Sequence, residues 1–202
     1  MNEFDKKAAT WDEPKRAERA KVIARAISDL LPKDTTLTAL EYGCGTGLVG
    51  LELRDRFKEL TLVDSSKGML EVVREKLKDL SVKNIDVLDA DSLAGTSKKF
   101  DVIFSSMVLH HIPDTKKILS DWHGLMSAHG NLCIVDLDPD GGLFHDDGFD
   151  GHSGFDRGAL GEQARVAGFT NIKFSTICDM QKIARDGVER TFTLFLMIAE
   201  KK

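Results

Sequence analysis

Residues 40–47 read Leu40-Glu41-Tyr42-Gly43-Cys44-Gly45-Thr46-Gly47, and the fold is organised around this stretch. Upstream of it, Thr36, Leu37, Thr38, Ala39 and Leu40 form a short β-branched and apolar run, the pattern of a buried strand that ends near Tyr42. Gly43, Gly45 and Gly47 then make a turn in which alternate positions carry no Cβ, so the backbone can take positive φ and a ligand can lie close against it. Leu48, Val49, Leu51 and Leu53 follow as a helical apolar set. The turn therefore opens a helix, whose unpaired N–H groups and partial positive charge suit a carboxylate or phosphate.

Two cofactor classes use such a turn. Gly45, Gly47 and Gly50 match the G-x-G-x-x-G of dinucleotide binders, but out of phase, because that reading carries the strand to Cys44 and places Glu41 inside it. Read from the end of the apolar run, the motif is an acid, one residue, then G-x-G-x-G. In this phase the stretch resembles the first motif of class I S-adenosylmethionine (SAM) dependent methyltransferases, for which E-x-G-C-G-T-G is a common spelling.

Size and composition set the frame. A chain of 202 residues with 42% hydrophobic and 30% charged residues is expected to form one domain around one core. No run approaches the ~18 apolar residues of a membrane span, and the start MNEFDKKAATWDEPKR has no signal-peptide core, so a cytoplasmic protein without membrane attachment is expected. Cys44, Cys133 and Cys178 show neither disulfide nor zinc spacing and read as reduced thiols. The net charge of −5 supplies no global attraction to nucleic acid, which is not expected as a partner.

Before the glycine turn, residues 1–13 read as poorly structured, with Phe4 and Trp11 their large apolar groups. Pro14 then opens a helix in which Val22, Ile23, Ala26, Ile27, Leu30 and Leu31 recur at helical spacing until Pro32. Its polar face, with Lys15, Arg16, Arg19, Lys21 and Arg25, reads mostly as solvated charge. Residues 1–35 together form an N-terminal helical cap; in the resembling family its leading segment folds over the cofactor, which makes Trp11 either a lid contact or an aromatic packed on the core.

After the turn, Leu60–Val63 give a second strand ending in Asp64, seventeen positions beyond Gly47 and near the ~20-residue offset at which a strand-end acid accepts ribose hydroxyls. A third strand, Ile85–Leu88, runs into Asp89-Ala90-Asp91, and a fourth, Phe100–Ser106, into Met107-Val108-Leu109-His110-His111-Ile112-Pro113-Asp114. A helix over 114–127, a strand over Asn131–Leu137, a helix over 156–167 capped by Gly168, and strands near Asn171–Ile177 and Phe192–Ala199 complete the chain. Alternating strands and helices predict an α/β, doubly wound, mostly parallel sheet of seven strands. The last two strands have no long helix between them, so the final one is expected to be antiparallel, which argues against a dinucleotide-binding dehydrogenase sheet.

The family resemblance runs on through the Leu109-His110-His111 string, Gly168-Phe169 and the closing FLMIAEKK, and it implies a methyltransferase with SAM as cofactor. It places Glu41, Gly43, Cys44, Gly45, Asp64, Ser65, Asp89, Ala90 and Ser105 around that cofactor, Asp64 on the ribose and Asp89 on the adenine amino group. A SAM-binding protein without catalysis and an NAD(P) oxidoreductase are the alternatives. The acceptor is expected to be a small molecule, with residues 138–155 as a substrate-side insertion.

All six histidines lie between positions 110 and 152, and from Ile118 to Asp156 eight aspartates stand without a Lys or Arg. This is either a solvated loop with helix-surface histidines or an acidic rim that favours a neutral or cationic acceptor. His110, beside strand four, is the first candidate for proton transfer from a protonated acceptor. No metal is expected. Asp136-x-Asp138-x-Asp140-Gly141 with Asp147 imitates a calcium loop, but it continues an apolar strand and is interrupted by Pro139; His145, Asp147 and His152 have no ligand spacing of their own.

Overall fold

The computed structural model describes residues 3–202 apart from Ser81 and Ala94. Seven strands, β1 (Thr38–Tyr42), β2 (Glu59–Asp64), β3 (Ile85–Asp89), β4 (Phe100–Ser106), β5 (Met126–Leu137), β6 (Phe169–Ile183) and β7 (Glu189–Lys201), form one sheet in the order β3-β2-β1-β4-β5-β7-β6. The first five are parallel; β7 runs antiparallel to both β5 and β6. The order reverses between β1 and β4, and in open α/β sheets a ligand crevice opens at such a switch, outside the carboxyl ends of the strands.

Period-two burial builds the core on both faces. Leu62, Val102, Phe104, Cys133, Val135 and Leu196 join one apolar cluster with α2 (Pro14–Leu30), α3 (Leu48–Leu53) and α4 (Lys67–Leu80). Their alternates Val63, Ile103, Leu132, Ile134 and Met197 join a second, with α6 (Thr115–Leu125) and α7 (Arg157–Val166). Side chains cap α6 and α7: Asp114 accepts from the Lys117 N–H at 2.9 Å, and Asp156 from the Ala159 N–H at 2.8 Å. Pro14 occupies the first turn of α2, as the sequence predicts.

Several elements depart from the expectation: α6 ends at Leu125 and β5 starts at Met126, where a helix to residue 127 and a strand from Asn131 are predicted. Residues 1 and 2 lie outside the described residues; from Glu3 onward the chain start is ordered as α1 (Glu3–Lys7) and a 3-10 turn (Ala8–Thr10). Long-range bonds hold this segment: Asp5 accepts from the Ser66 hydroxyl at 2.7 Å and the Gly68 N–H at 3.0 Å, and Asp12 from the Thr46 hydroxyl and Lys76. A four-residue helix, α5 (Ala90–Leu93), starts directly at the end of β3. Strands β6 and β7 are also longer than predicted, because their hairpin arms pair from Cys178–Leu194 to Ile183–Glu189, beyond the last β5 partner at Leu137–Leu194. This overhang packs Phe192 edge-on against Phe144, at 5.1 Å between ring centroids, and so supports the 138–155 segment from below.

Candidate functional site

The carboxyl ends of β1 and β2 are stitched together by the glycine turn. Gly43, Gly45 and Gly47 take φ of 75°, 54° and 79°, in the left-handed region that favours glycine. The Gly43 and Cys44 N–H groups both donate to the Val63 carbonyl, at 2.8 and 2.9 Å. Asp64 accepts from the Gly45 N–H at 2.7 Å and the Ser66 N–H at 2.8 Å, so the strand-end acid also sets the shape of the turn. A carboxylate offers about four lone-pair positions, so Asp64 keeps acceptor capacity for a ligand beyond these backbone donors. Burial raises the Asp64 pKa, against the opposing effect of these backbone donors.

A cavity of about 270 Å³ lies over this turn. Its floor includes Glu41, Gly43, Cys44, Gly45, Asp64, Ser65 and Ala90; Met107, Val108, His111 and Ile112 line it on the β4 side. Met107 takes a φ of 58°, a strained value for a side-chain-bearing residue, at the point where the chain leaves β4 for this wall. The roof is the N-terminal segment, with Phe4, Trp11, Arg16 and Arg19. The Trp11 indole nitrogen comes within 3.7 Å of where a Cβ on Gly45 would stand.

Not every expected residue reaches the cavity. Ser105 turns its hydroxyl to the Tyr42 carbonyl at 2.8 Å, tying β4 to β1, and its neighbour Ser106 lines the wall instead. Asp89 caps the start of α5 by accepting from the Asp91 N–H at 3.0 Å and is outside the lining, whereas Ala90 is within it. Arg16 and Arg19, read as solvated charge, line the roof: Arg16 sits 4.1 Å from the Trp11 ring centroid and Arg19 donates to the Met180 sulfur. Spacing along α2 cannot reveal this, because the face that meets the cavity is defined by a segment folding back from the chain start.

Glu41 is 2% exposed, and burial pushes its pKa up to about 8. Its Oε2 is buried without a hydrogen-bond partner among the described residues, in a wall of the cavity. Gly50, which a dinucleotide motif would assign to a cofactor, is needed here for room: a Cβ there would meet Glu41 Oε2 and come within 2.6 Å of Leu62 Cδ2. Because the folded state keeps the Glu41 proton that the unfolded chain releases above its usual value of 4.5, stability is fully present below that pH and lost as pH rises through 8. Urea denaturation of the ligand-free protein is expected to show a loss of about 1.4 kcal/mol per pH unit across this window, and Glu41→Gln should lack that slope. Parallel profiles for the two proteins would place the proton elsewhere.

His110 lies behind the wall rather than in it. Its ring is 1% exposed and its Nδ1 is 2.6 Å from Asp136 Oδ1, while its backbone N–H donates to the other carboxylate oxygen at 3.2 Å. The ring that faces the cavity is His111. Burial pushes the pKa values of His111 and His145 down to about 4, helped by the neighbouring imidazoles. The calcium-like acids are engaged elsewhere: Asp136 on His110, Asp138 in a bidentate pair with Arg157 at 2.7 Å, Asp140 on the Gly142 N–H, and Asp147 beside Arg185 at 3.3 Å. His152 donates its Nε2–H to the Ile112 carbonyl at 3.0 Å, so the group His145, Asp147 and His152 does not converge.

Strand order, the antiparallel β7, the left-handed glycine turn and the acid at the end of β2 together define a class I SAM-dependent methyltransferase fold. Residues 40–132, a little under half of the chain, match the family described as a methyltransferase domain, and this likeness supports a class I SAM-dependent methyltransferase with SAM as cofactor. It is 29% identical over 122 residues to an uncharacterized methyltransferase of Schizosaccharomyces pombe, covering 56% of this chain and 43% of that one. The YcgJ protein of Bacillus subtilis superposes with a TM-score of 0.73 at 14% identity, covering 92% of this chain and 99% of that one. Phosphoethanolamine N-methyltransferase 2 of Haemonchus contortus, in complex with SAM, does so at 0.70 and 17%, covering 91% and 52%. At these identities the structural likeness is one of fold. The chain spans about half the length of the curated relatives it matches.

The cavity fits the family's cofactor on its own features. Gly45 leaves the backbone open, the buried and unpartnered Glu41 carboxyl oxygen offers a polar contact, and Arg16 and Arg19 offer charge for a carboxylate. Among the described residues, no helix is long and apolar enough to cross a membrane.

Proposed function

We propose that this protein transfers a methyl group from SAM to a small-molecule acceptor that is neutral or cationic. The observation that supports this reading is the roofed cavity: Phe4, Trp11, Arg16 and Arg19 close over the glycine turn and leave about 270 Å³, a space suited to a small-molecule cofactor and a compact acceptor group at its β4-side wall. SAM supplies a methyl carbon already activated by its sulfonium. The protein's own task is then alignment and exclusion of water, which the roof and the apolar β4-side wall of Met107, Val108 and Ile112 perform. The titratable side chain on that wall is His111, so an acceptor presenting a hydroxyl, thiol or amine meets an imidazole.

The preference for a neutral or cationic acceptor rests on three exposed acids, Asp146, Asp147 and Asp150, of which Asp147 also pairs with Arg185 across the surface; the other five aspartates between 118 and 156 are held by structural partners. These three share a loop with His145, whose ring lies 5.1 Å from that of His111. Changing all three to Asn is expected to raise KM for a cationic acceptor severalfold, with SAM affinity intact. The effect should shrink in salt, since screening at ~0.1 M reaches only about 10 Å. An unchanged KM would leave the acidic loop as a solvated surface.

Calorimetric titration with SAM, S-adenosylhomocysteine and NADH, followed by incubation of methyl-labelled SAM with a metabolite extract, tests the reading. Tight SAM binding with label appearing in a small molecule is expected. Binding without transfer would point to a SAM sensor, and NADH binding alone would overturn the cofactor.

A further inference from the structure

We propose that His110, His111 and His145 form a binding site for a divalent first-row transition-metal ion, with Zn²⁺ as the reference ion, and that the ion ties the 138–155 segment to the end of β4. Each ring offers a nitrogen, and the three nitrogens lie within 4.8 Å of one another. Two of the rings come from the 3-10 turn (Leu109–His111) that follows β4, the third from the segment that crosses over it. Three imidazoles around one point are a borderline-soft donor set, which selects zinc and its neighbours over calcium or magnesium.

The arrangement around the trio is what distinguishes it from histidines that merely pack. Asp136 is completely buried and holds His110 through Nδ1 at 2.6 Å, so the proton on that nitrogen leaves Nε2 as the free donor atom. A carboxylate behind a histidine is the usual outer support of a metal-bound imidazole, fixing both tautomer and ring orientation. His145 supplies the second observation: its Nε2 is buried and has no hydrogen-bond partner among the described residues. A buried ring nitrogen without a partner costs free energy unless a ligand satisfies it.

An apolar jacket surrounds the group. Phe149 stacks on His145 at 3.7 Å between centroids, Phe144 meets it edge-on at 4.9 Å, and Phe4 meets His111 edge-on at 5.3 Å. Such a shell strengthens an ion's bonds to its ligands by excluding water. A tetrahedral zinc site with Zn–N of about 2.0–2.1 Å spaces its nitrogens roughly 3.3 Å apart, so nitrogens now within 4.8 Å of one another close by up to about 1.5 Å on loading. His145 sits on a loop and can make that movement. The segment is already anchored beyond His145, because the His152 N–H donates to the His110 carbonyl at 2.8 Å and the Phe155 N–H to the Leu137 carbonyl at 2.8 Å. His111 is a member of the trio and also lines the cavity, so an ion held there borders the acceptor side of the site.

The test uses the full chain, stripped with chelator and titrated with Zn²⁺ by calorimetry and with Co²⁺ by its visible absorption. One ion per chain is expected, with the spectrum of nitrogen-ligated, four-coordinate Co²⁺. His145→Ala, a loop change checked for fold by circular dichroism, should abolish the spectrum. Asp136→Asn should keep the site but weaken it 10- to 100-fold, the usual loss for an outer-shell partner. Zn²⁺ should slow proteolysis within residues 141–151 of the wild type and not of His145→Ala. Equal Zn²⁺ binding by wild type and His145→Ala, or no stoichiometric binding by the wild type, would overturn the site. The site rests on the histidine geometry and not on the methyl-transfer reading: SAM binding without metal binding would remove the ion alone, and metal binding without SAM binding would remove the proposed reaction alone.

Discussion

Asp64→Ala is expected to lower SAM affinity roughly 10- to 150-fold, because hydrogen bonds to a charged group contribute ~1.5–3 kcal/mol. The loss has two sources at one atom group. The carboxylate's free lone pairs face the cavity where ribose hydroxyls are expected, and its occupied ones hold the Gly45 and Ser66 N–H groups that shape the turn. Ribose is common to SAM and S-adenosylhomocysteine, so both should weaken by a similar factor in calorimetric titrations of the folded variant. Asp64→Asn, which retains an acceptor oxygen but not the charge, should fall between. Unchanged affinity for both ligands would remove Asp64 from the site.

A second large effect is expected at Gly43, this time on stability. A Cβ at that position would stand within 3.0 Å of three carbons of the Val108 side chain, and the backbone there is at φ 75°. Forcing an extra methyl into a packed wall costs ~1–3 kcal/mol, and the left-handed conformation a further ~1–2 kcal/mol for a side-chain-bearing residue. At ~2–4 °C per kcal/mol for a chain of this size, Gly43→Ala should lower Tm by roughly 4–20 °C. Gly45→Ala gives the control: the nearest atom to its Cβ is the Trp11 indole nitrogen at 3.7 Å, so the folded state should lose only the ~1–2 kcal/mol of the left-handed backbone while SAM binding suffers. A Gly43→Ala melt within about 2 °C of wild type would mean that Val108 yields to the new methyl. Normal SAM binding by Gly45→Val, which adds a branched side chain at φ 54°, would show that the turn does not seat the cofactor.

The sheet, the turn and the strand-end acids are legible in the sequence. An apolar run that stops at Tyr42, glycines in alternation after it and an acid at the end of the next strand are local signals, and local chemistry suffices to produce them: β-branched residues pack as strands and glycine takes positive φ. The antiparallel close is legible too, since no helix separates the last two strands. Which groups meet depends on the tertiary structure. Arg16 and Arg19 look like ordinary helix-surface charge until Asp5 and Asp12 bind α4 and the glycine turn and draw the chain start over the cavity. Ser105 and Ser106 are adjacent and chemically alike, so only the pleat of β4, which sends successive side chains to opposite faces, determines that the first bonds to Tyr42 and the second lines the cavity. For the histidines, thirty-four residues separate His111 from His145, and no spacing rule spans that distance. They converge because the 138–155 segment is pinned to the His110 carbonyl and supported by the β6–β7 overhang, contacts that exist only once the whole sheet has formed.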